Sequence, residues 1–262
     1  MASILLLKLC LVPTLIYLVS VAGRRWGPVV AGWMSAFPIV SGPILLAITL
    51  EQGPGFAATA AEGTLLAVVA ILVFSIAYAW ACTRHGVAGS MAYALSAYAL
   101  AVALLQGLDL PLGVALAAVW IALLAAPRLF PRSEAMTQKP PRYNDLPWRM
   151  IAGAVLVLVV TFAASRIGAR LSGFFAMFPV MGTVLVGFSH AYSGHPFALA
   201  LLRGMVLGYY AFAVFCAVLA TLLGKVSTTL AFSAAFACAL VVQLASKWLA
   251  AMAPRVAASP GK

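Results

Sequence analysis

Two charged residues within strongly apolar stretches are the first candidates for chemistry. Glu62 and Arg203 lie 141 residues apart, and each is followed by a glycine. At 1.5 Å per residue, both fall about 9 Å inside their predicted helices, a depth at which a charge is costly and usually faces a water-filled cavity or a partner. We expect Glu62 to accept a proton or a coupling cation, and Arg203 to bind an anionic substrate or act as the counter-charge. The alternative is a structural ion pair, or side chains that extend towards the membrane surface.

Two further ionisable residues accompany them. His190 lies three turns beyond Pro179 and can change its charge near neutral pH, so it is a candidate for coupling; a structural or interfacial histidine is the alternative. Arg170 lies one turn inside a predicted helix, where contact with a phosphate or carboxylate would explain its charge. No cysteine or carboxylate completes a set of metal ligands with the histidine, so we predict no metal site and no cofactor.

The predicted binding site is formed by two interrupted helices, of which the second carries His190 and Arg170. The stretches from Gly32 to Pro43 and from Gly173 to Gly182 are too apolar for loops, yet Pro38 and Pro179 break their helical hydrogen bonding. Backbone groups freed inside a membrane need partners in protein or water, so such breaks are typical of binding sites, although kinks that only improve packing are the alternative. Each proline lies about 17 Å from its helix start, near the middle of a bilayer roughly 30 Å thick. The predicted substrate site comprises Phe37, Pro38, Ser41, Gly42, Phe178, Pro179, Gly182 and Thr183.

The composition identifies the class of protein. The chain has 262 residues, of which 65% are hydrophobic and 8% charged, and its mean hydropathy is +1.10. A water-soluble domain of this size would hardly have these values, so we predict a polytopic membrane protein with little soluble structure. The net charge of +11 comes mostly from basic residues beside apolar runs, as the positive-inside rule requires, which argues against nucleic-acid binding.

At about 20 residues per crossing, the chain has room for about nine transmembrane helices. We predict them at approximately residues 4–21, 27–50, 56–82, 88–105, 112–126, 151–167, 168–193, 196–223 and 227–249. The predicted units are a first four-helix repeat (1–105), a linking transmembrane helix (106–126), a basic cytoplasmic connector (127–149), a second four-helix repeat (150–252) and a basic tail (253–262). Prolines in the connector argue against a helix there.

The two repeats align without gaps at an offset of 141 residues. This offset pairs Phe37-Pro38 with Phe178-Pro179 and Gly53 with Gly194. An accidental match in so apolar a chain is the alternative, but matching helix breaks argue against it. Because five crossings precede the sixth helix, we predict an all-α fold of two inverted repeats, as in many secondary transporters. If the linking helix does not cross, the repeats are parallel instead.

Loop charges predict the orientation. With the N-terminus outside and the C-terminus in the cytoplasm, Arg24, Arg84 and the basic connector fall inside, whereas Arg166, Arg170 and Lys225 are exceptions. We expect a multi-pass protein of the bacterial inner (cytoplasmic) membrane.

The interrupted element resembles a known family of small membrane proteins. Ala31-Gly32 through Phe37-Pro38, and Gly173 through Phe178-Pro179, fit the Ala-Gly-x-x-x-x-Phe-Pro type of break in helix two of the GlpM-like proteins, which have about four helices. The resemblance covers about forty residues in each half. It implies a fused duplicate of such a unit and carries over neither a substrate nor catalytic residues.

These observations predict a proton- or cation-coupled secondary transporter of a small, anionic or amphipathic solute. Its predicted partners are the lipid bilayer, the solute, the coupling ion and a second copy of the chain in a homodimer. The alternative is a non-transporting membrane subunit or assembly partner of an envelope or polysaccharide system. We expect no enzymatic activity, because the clustered acid, base or metal residues that an intramembrane lipid-modifying enzyme needs are missing.

Overall fold

The protein is an all-helical, multi-pass membrane protein. The computed structural model describes residues 2–39, 41–108, 110–132, 145–166 and 178–252. Within these ranges, six helices are long and apolar enough to cross a membrane: Leu9–Trp26, Pro54–Ala81, Val87–Leu105, Leu112–Leu129, Val180–Leu222 and Thr228–Leu249. A shorter apolar helical stretch covers Leu146–Val160.

Five helices form the first half of the chain: α1 (Ala2–Trp26), α2 (Pro28–Ser35), α3 (Ser41–Gln52), α4 (Pro54–Ala81) and α5 (Val87–Leu105). The predicted interruption at Pro38 is confirmed, because the helix ends before this residue and resumes at Ser41. Gly27 and Gly53, with φ of 91° and 87°, each precede a proline that starts the next helix. Positive φ suits glycine and the fixed φ of proline suits the first helical turn, so these Gly-Pro pairs separate consecutive helices.

The remainder comprises α6 (Leu112–Leu129), α7 (Leu146–Arg166), α8 (Val180–Leu222) and α9 (Thr228–Met252). Helices α6 and α7 extend into the predicted connector from both sides; Pro147 is the second residue of α7, where a missing amide donor costs little. Helix α8 is sharply kinked at Gly194 (φ 80°), and we call its two parts α8a (180–193) and α8b (195–222). Arg170 and the first part of the second predicted interrupted helix lie outside the described residues.

Helix boundaries in the two halves follow the 141-residue offset. Helix α4 ends at Ala81 and α8 at Leu222, and the first residues of α5 and α9 are separated by the same interval. Gly53 and Gly194 also share a positive φ, 87° and 80°. The helix boundaries from Gly53 and Gly194 to the starts of α5 and α9 therefore agree at this offset.

Helices α2 and α8b pack backbone against backbone. A Cβ atom added at Gly32 would meet the carbonyl oxygen of Leu201, and one added at Gly204 would meet the carbonyl oxygen of Val29. Small residues allow this close approach, which is a common mode of helix packing in membranes. The first part of the interrupted helix is therefore held against the second half of the chain.

Helices α1 and α7 run antiparallel. Arg24, two residues before the end of α1, forms an ion pair with Asp145, which directly precedes α7. Further along both helices, a Cβ atom at Gly153 would meet the side chain of Ile16. The two helices occupy equivalent places in the 141-residue offset, so this pair joins the two halves of the chain directly.

Candidate functional site

One of the carbonyls freed by the break between α2 and α3 has a protein partner. The amide of Phe37 bonds to the carbonyl of Met34 at 3.3 Å, which leaves the Trp33 carbonyl without its usual helical donor. That carbonyl accepts a hydrogen bond from Nε2 of Gln243 on α9, at 2.7 Å. In return, Nε1 of Trp33 donates to the carbonyl of Gln243 at 3.2 Å. The side chain of Gln243 therefore replaces the missing helical donor of the Trp33 carbonyl.

Side chains also pack closely around this break. The Phe37 ring lies 6.4 Å from the ring of Phe236 on α9. A Cβ atom at Gly42 would meet the same Phe236 ring, so this glycine is needed for the contact. Pro38 is buried and Ser41 is half-buried. Phe37 and Gly42, two predicted site residues of the first break, thus pack against the last helix of the second half.

The described part of the second break is packed in the same manner. The Phe178 ring contacts the ring of Tyr98 on α5, with 5.8 Å between centroids. Pro179 is buried, and a Cβ atom at Gly182 would lie 3.3 Å from the ring of Phe74 on α4. Residues at the second break therefore pack against α4 and α5 of the first half, as residues at the first break pack against α9 of the second half.

Two polar atoms near the breaks lack hydrogen-bond partners. These are Oγ1 of Thr183 and Oε1 of Gln243, both buried and without a partner among the residues that the structure describes. A buried polar atom without a partner costs free energy, and such atoms often mark a bound water or ligand. Thr183 remains a candidate contact for a solute at the breaks.

Glu62 and Arg203 lie on α4 and α8b. Arg203 is half-buried and donates from Nη2 to the carbonyl of Pro131 at 2.6 Å. Glu62 is half-buried near the start of α4. In the described part of the chain, the ion pairs join Asp145 to arginines and none joins Glu62 to Arg203.

His190 has a polar partner in the interior of the protein. Its Nδ1 lies 3.0 Å from the hydroxyl of Tyr78, and the two rings meet edge to face. Tyr78 is fully buried on α4. A histidine bonded to a phenol can donate or accept a proton at either ring nitrogen, so His190 keeps its candidate role in coupling.

A charged cluster lies beside the antiparallel pair α1 and α7. The fully buried Asp145 accepts hydrogen bonds from Nη2 of Arg24 at 2.6 Å and from Nε of Arg149 at 2.7 Å. Nη1 of Arg149 also donates to the hydroxyl of Ser189 on α8a at 3.3 Å. The side chain of Arg149 is 8% exposed and that of Arg24 is 32% exposed. Two guanidinium groups therefore share one carboxylate.

A small cavity of about 20 Å³ adjoins this cluster. Its walls come from α1 and α2 of the first half, and from α7, α8a and α8b of the second. Arg24 and Arg149 line it, together with the hydroxyls of Ser20 and Ser193, which are buried without a partner among the described residues. The volume is sufficient for about one water molecule or an ion of similar size.

Sequence reasoning placed Asp145 and Arg149 in a helix-free connector and so missed this cluster. A usable signal was present, because an acid and a base four residues apart at the start of an apolar run are typical of a helix N-terminus. Pro147 between them supports the same interpretation. Gln243 was missed too, although a single amide within a long apolar helix indicates a specific partner.

Comparison with known proteins adds no relative to this description: no family model, curated protein or solved structure matches the chain.

Proposed function

We propose that the protein is a secondary transporter of a small, anionic or amphipathic solute, coupled to protons or another cation. The observation that carries this proposal is the position of the charged cavity, which lies between α1 and α2 of the first half and α7 and α8 of the second. Secondary transporters bind their substrates between structural repeats whose relative movement exposes the site to each side of the membrane in turn.

In this proposal the two halves are inverted repeats with about nine crossings. Helices α1 and α7, which are equivalent in the 141-residue offset, run antiparallel through the contacts of Arg24 with Asp145 and of Ile16 with Gly153. In parallel repeats related by an axis along the membrane normal, equivalent helices would run in the same direction. The proposed orientation places the N-terminus outside and the C-terminus in the cytoplasm of a bacterium, with the chain in the inner membrane.

The proposed coupling residues are His190 and Glu62. His190 follows Ser189 directly in α8a, so one turn of helix carries both a hydrogen bond to the charged cluster and the hydrogen bond to Tyr78. A change in the protonation of His190 would act on the same helix that lines the cavity. Glu62, half-buried on α4, is the other candidate.

A flux assay tests the proposal. Purified protein is reconstituted into liposomes that contain a trapped pH dye, and sodium chloride, nitrate or phosphate is added outside. Transport predicts an internal pH change that depends on the anion and is absent in empty liposomes. We expect Glu62→Gln or His190→Gln to abolish the pH change, whereas Glu51→Gln, at an exposed end of α3, should leave it intact. Unchanged flux in the first two variants would remove those residues from the mechanism.

A second candidate function is that of a non-transporting membrane subunit. It is favoured by the close packing of both breaks and by an open apolar groove between α3 and α9, lined by Leu46, Leu50, Phe232 and Phe236. A partner helix would fit such a groove. Absence of flux for all three salts, together with a stoichiometric partner that co-purifies from native membranes and is lost in Leu50→Glu, would support this function instead.

A further inference from the structure

An open groove separates α3 from α9 over part of their length. It has a volume of about 580 Å³ and is lined by two leucines of α3 and by five residues of α9: Leu46, Leu50, Thr228, Thr229, Phe232, Ser233 and Phe236. From Thr228 to Phe236 the groove follows α9 for eight residues, or about 12 Å. Leu46 is 37% exposed and Leu50 is 75% exposed, so the groove opens sideways, towards the surroundings of the helices.

The equivalent interface in the other half is closed. The 141-residue offset relates α3 to α8a and α9 to α5, so that Leu46 corresponds to Gly187 and Phe232 to Met91. A Cβ atom added at Gly187 would lie 3.2 Å from the terminal methyl group of Met91. A glycine thus lets α5 and α8a pack closely, whereas a leucine in its place prevents the same approach of α3 and α9. The groove is therefore a property of these particular residues and is not shared by both halves.

The two ends of the groove differ in polarity. The hydroxyl groups of Thr228 and Thr229 lie at one end, where α3 ends and α9 begins. The other end is closed by Phe236, whose ring would meet a Cβ atom at Gly42 and lies 6.4 Å from the ring of Phe37. A polar end near the helix termini and an apolar end further inside match a molecule with a polar head at the membrane surface and an apolar tail in the bilayer.

We infer that this groove binds the acyl chain of a phospholipid, with the head group at Thr228 and Thr229 and the chain against Leu46, Phe232 and Phe236. A chain in the groove contacts protein on more than one side, which increases its dispersion attraction over that of a chain on a flat helix face. Threonine hydroxyls can donate hydrogen bonds to phosphate or ester oxygens of the head group. The end of the chain would lie beside the first helix break.

A partner helix is the other class of occupant for such a groove. Stable protein interfaces involve about 20–30 residues on each side, whereas seven residues over little more than two helical turns line this groove. The groove is therefore too small to hold a partner protein by itself. A single flexible chain needs no contact surface beyond it.

The test is saturable binding of a lysophospholipid by the purified full chain in detergent. The probe is palmitoyl lysophosphatidylethanolamine with a photoreactive group at the end of its acyl chain, and labelled peptides are identified by mass spectrometry. We expect labelling at Phe232 or Phe236 that saturates and that an excess of unlabelled palmitoyl lysophosphatidylethanolamine suppresses. The octanoyl analogue should compete less well, because its shorter chain contacts less of the groove. Labelling of other lipid-facing surfaces should rise linearly and resist competition.

One variant closes the groove and a second serves as its matched control. Ser233 lines the groove and is exposed, so Ser233→Trp should fill the space and abolish the saturable labelling without a change in the melting temperature. Leu240, 51% exposed on the same helix and outside the groove lining, is the control, and Leu240→Trp should label as the wild type.

A second variant tests the head-group contacts. Thr228→Val combined with Thr229→Val keeps the shape of the groove but removes two hydroxyl donors, so it should weaken binding of the probe roughly tenfold. Labelling that does not saturate, or that persists in Ser233→Trp and is unaltered in the double valine variant, would overturn the inference. A protein that co-purifies from native membranes and blocks the labelling would assign the groove to a partner helix and overturn it as well.

The extension of this inference to transport, with the lipid as the amphipathic solute, rests on the proposed function. The two fail separately. Saturable labelling without movement of lysophosphatidylethanolamine across liposome membranes would leave the groove as a binding site and remove lipid transport. An anion-dependent pH change in liposomes, together with no saturable labelling, would leave the transport proposal and remove the groove.

Discussion

Asp145 is the residue on which the charged cluster depends. It is fully buried and accepts hydrogen bonds from both Arg24 and Arg149, so its carboxylate joins α1 to α7 and, through Arg149 and Ser189, to α8a. Charge-assisted hydrogen bonds of this kind are among the stronger polar contacts in proteins, and removing one partner leaves the other charge uncompensated. The cluster therefore links α1 of the first half to α7 and α8a of the second half, beside the cavity.

Replacing this carboxylate should destabilise the protein strongly. We expect Asp145→Asn to lower the free energy of unfolding by about 3–5 kcal/mol, because it leaves the buried Arg149 without its counter-charge. Denaturant unfolding in mixed micelles measures the loss. Glu62→Gln, at a half-buried carboxylate for which the described residues show no ion pair, is the control and should cost less than about 1 kcal/mol. Similar losses in the two variants would contradict this assignment.

Gln243 has a comparable role at the first break. We expect Gln243→Leu to cost about 1–3 kcal/mol, because the carbonyl of Trp33 would lose the donor that replaces its helical partner. The same unfolding measurement applies, with Ser233→Ala on the same helix as the control. No loss in Gln243→Leu would mean that water satisfies this carbonyl equally well.

At the scale of elements, glycines decide where helices can touch. Gly204 on α8b allows α2 to approach, because a Cβ there would meet the carbonyl of Val29. Gly63 on α4 occupies the equivalent position in the 141-residue offset, but a Cβ there would meet nothing within 4 Å. The glycine at this position thus allows close helix packing in the second half, whereas in the first half it faces open space.

This difference gives a matched pair of substitutions. We expect Gly204→Ala to destabilise the protein by roughly 1–3 kcal/mol through steric overlap with α2. Gly63→Ala should be neutral or stabilising by up to about 1 kcal/mol, because alanine is the better helix former and has room. Melting temperatures of the two variants in one detergent provide the comparison, and equal effects would contradict the packing of α2 against α8b.

At the scale of the whole molecule, the proposed inverted repeats predict the sidedness of two equivalent turns. Arg84 follows α4 and Lys225 follows α8; both are exposed and they are 141 residues apart. In inverted repeats they lie on opposite membrane faces. Single cysteines are introduced at these two positions in a variant of the protein that lacks the exposed Cys10 and Cys238. We expect an impermeant thiol reagent, applied to intact cells, to label only one of Arg84→Cys and Lys225→Cys. Labelling of both from the same side would contradict the inverted arrangement.

Much of the secondary structure was predictable from local rules. Pro38 indicated an interrupted helix because it removes an amide donor, and the turns at Gly53 and Gly194 followed from glycine beside or near proline. The extent of α7 was harder to predict. The prolines of residues 127–149 predict a connector without a helix, but Pro147 lies at the second position of α7, where proline is tolerated.

Residues that are neighbours in the chain are sufficient to predict the membrane class and the helix break at Pro38, because hydropathy and helix-breaking chemistry are local properties. Which polar groups meet depends on how the helices pack. Arg24 and Asp145 are 121 residues apart, and Trp33 and Gln243 are 210 residues apart. Such pairs form because antiparallel and closely packed helices bring distant residues to the same depth, and in this way Asp145 meets both Arg24 and Arg149.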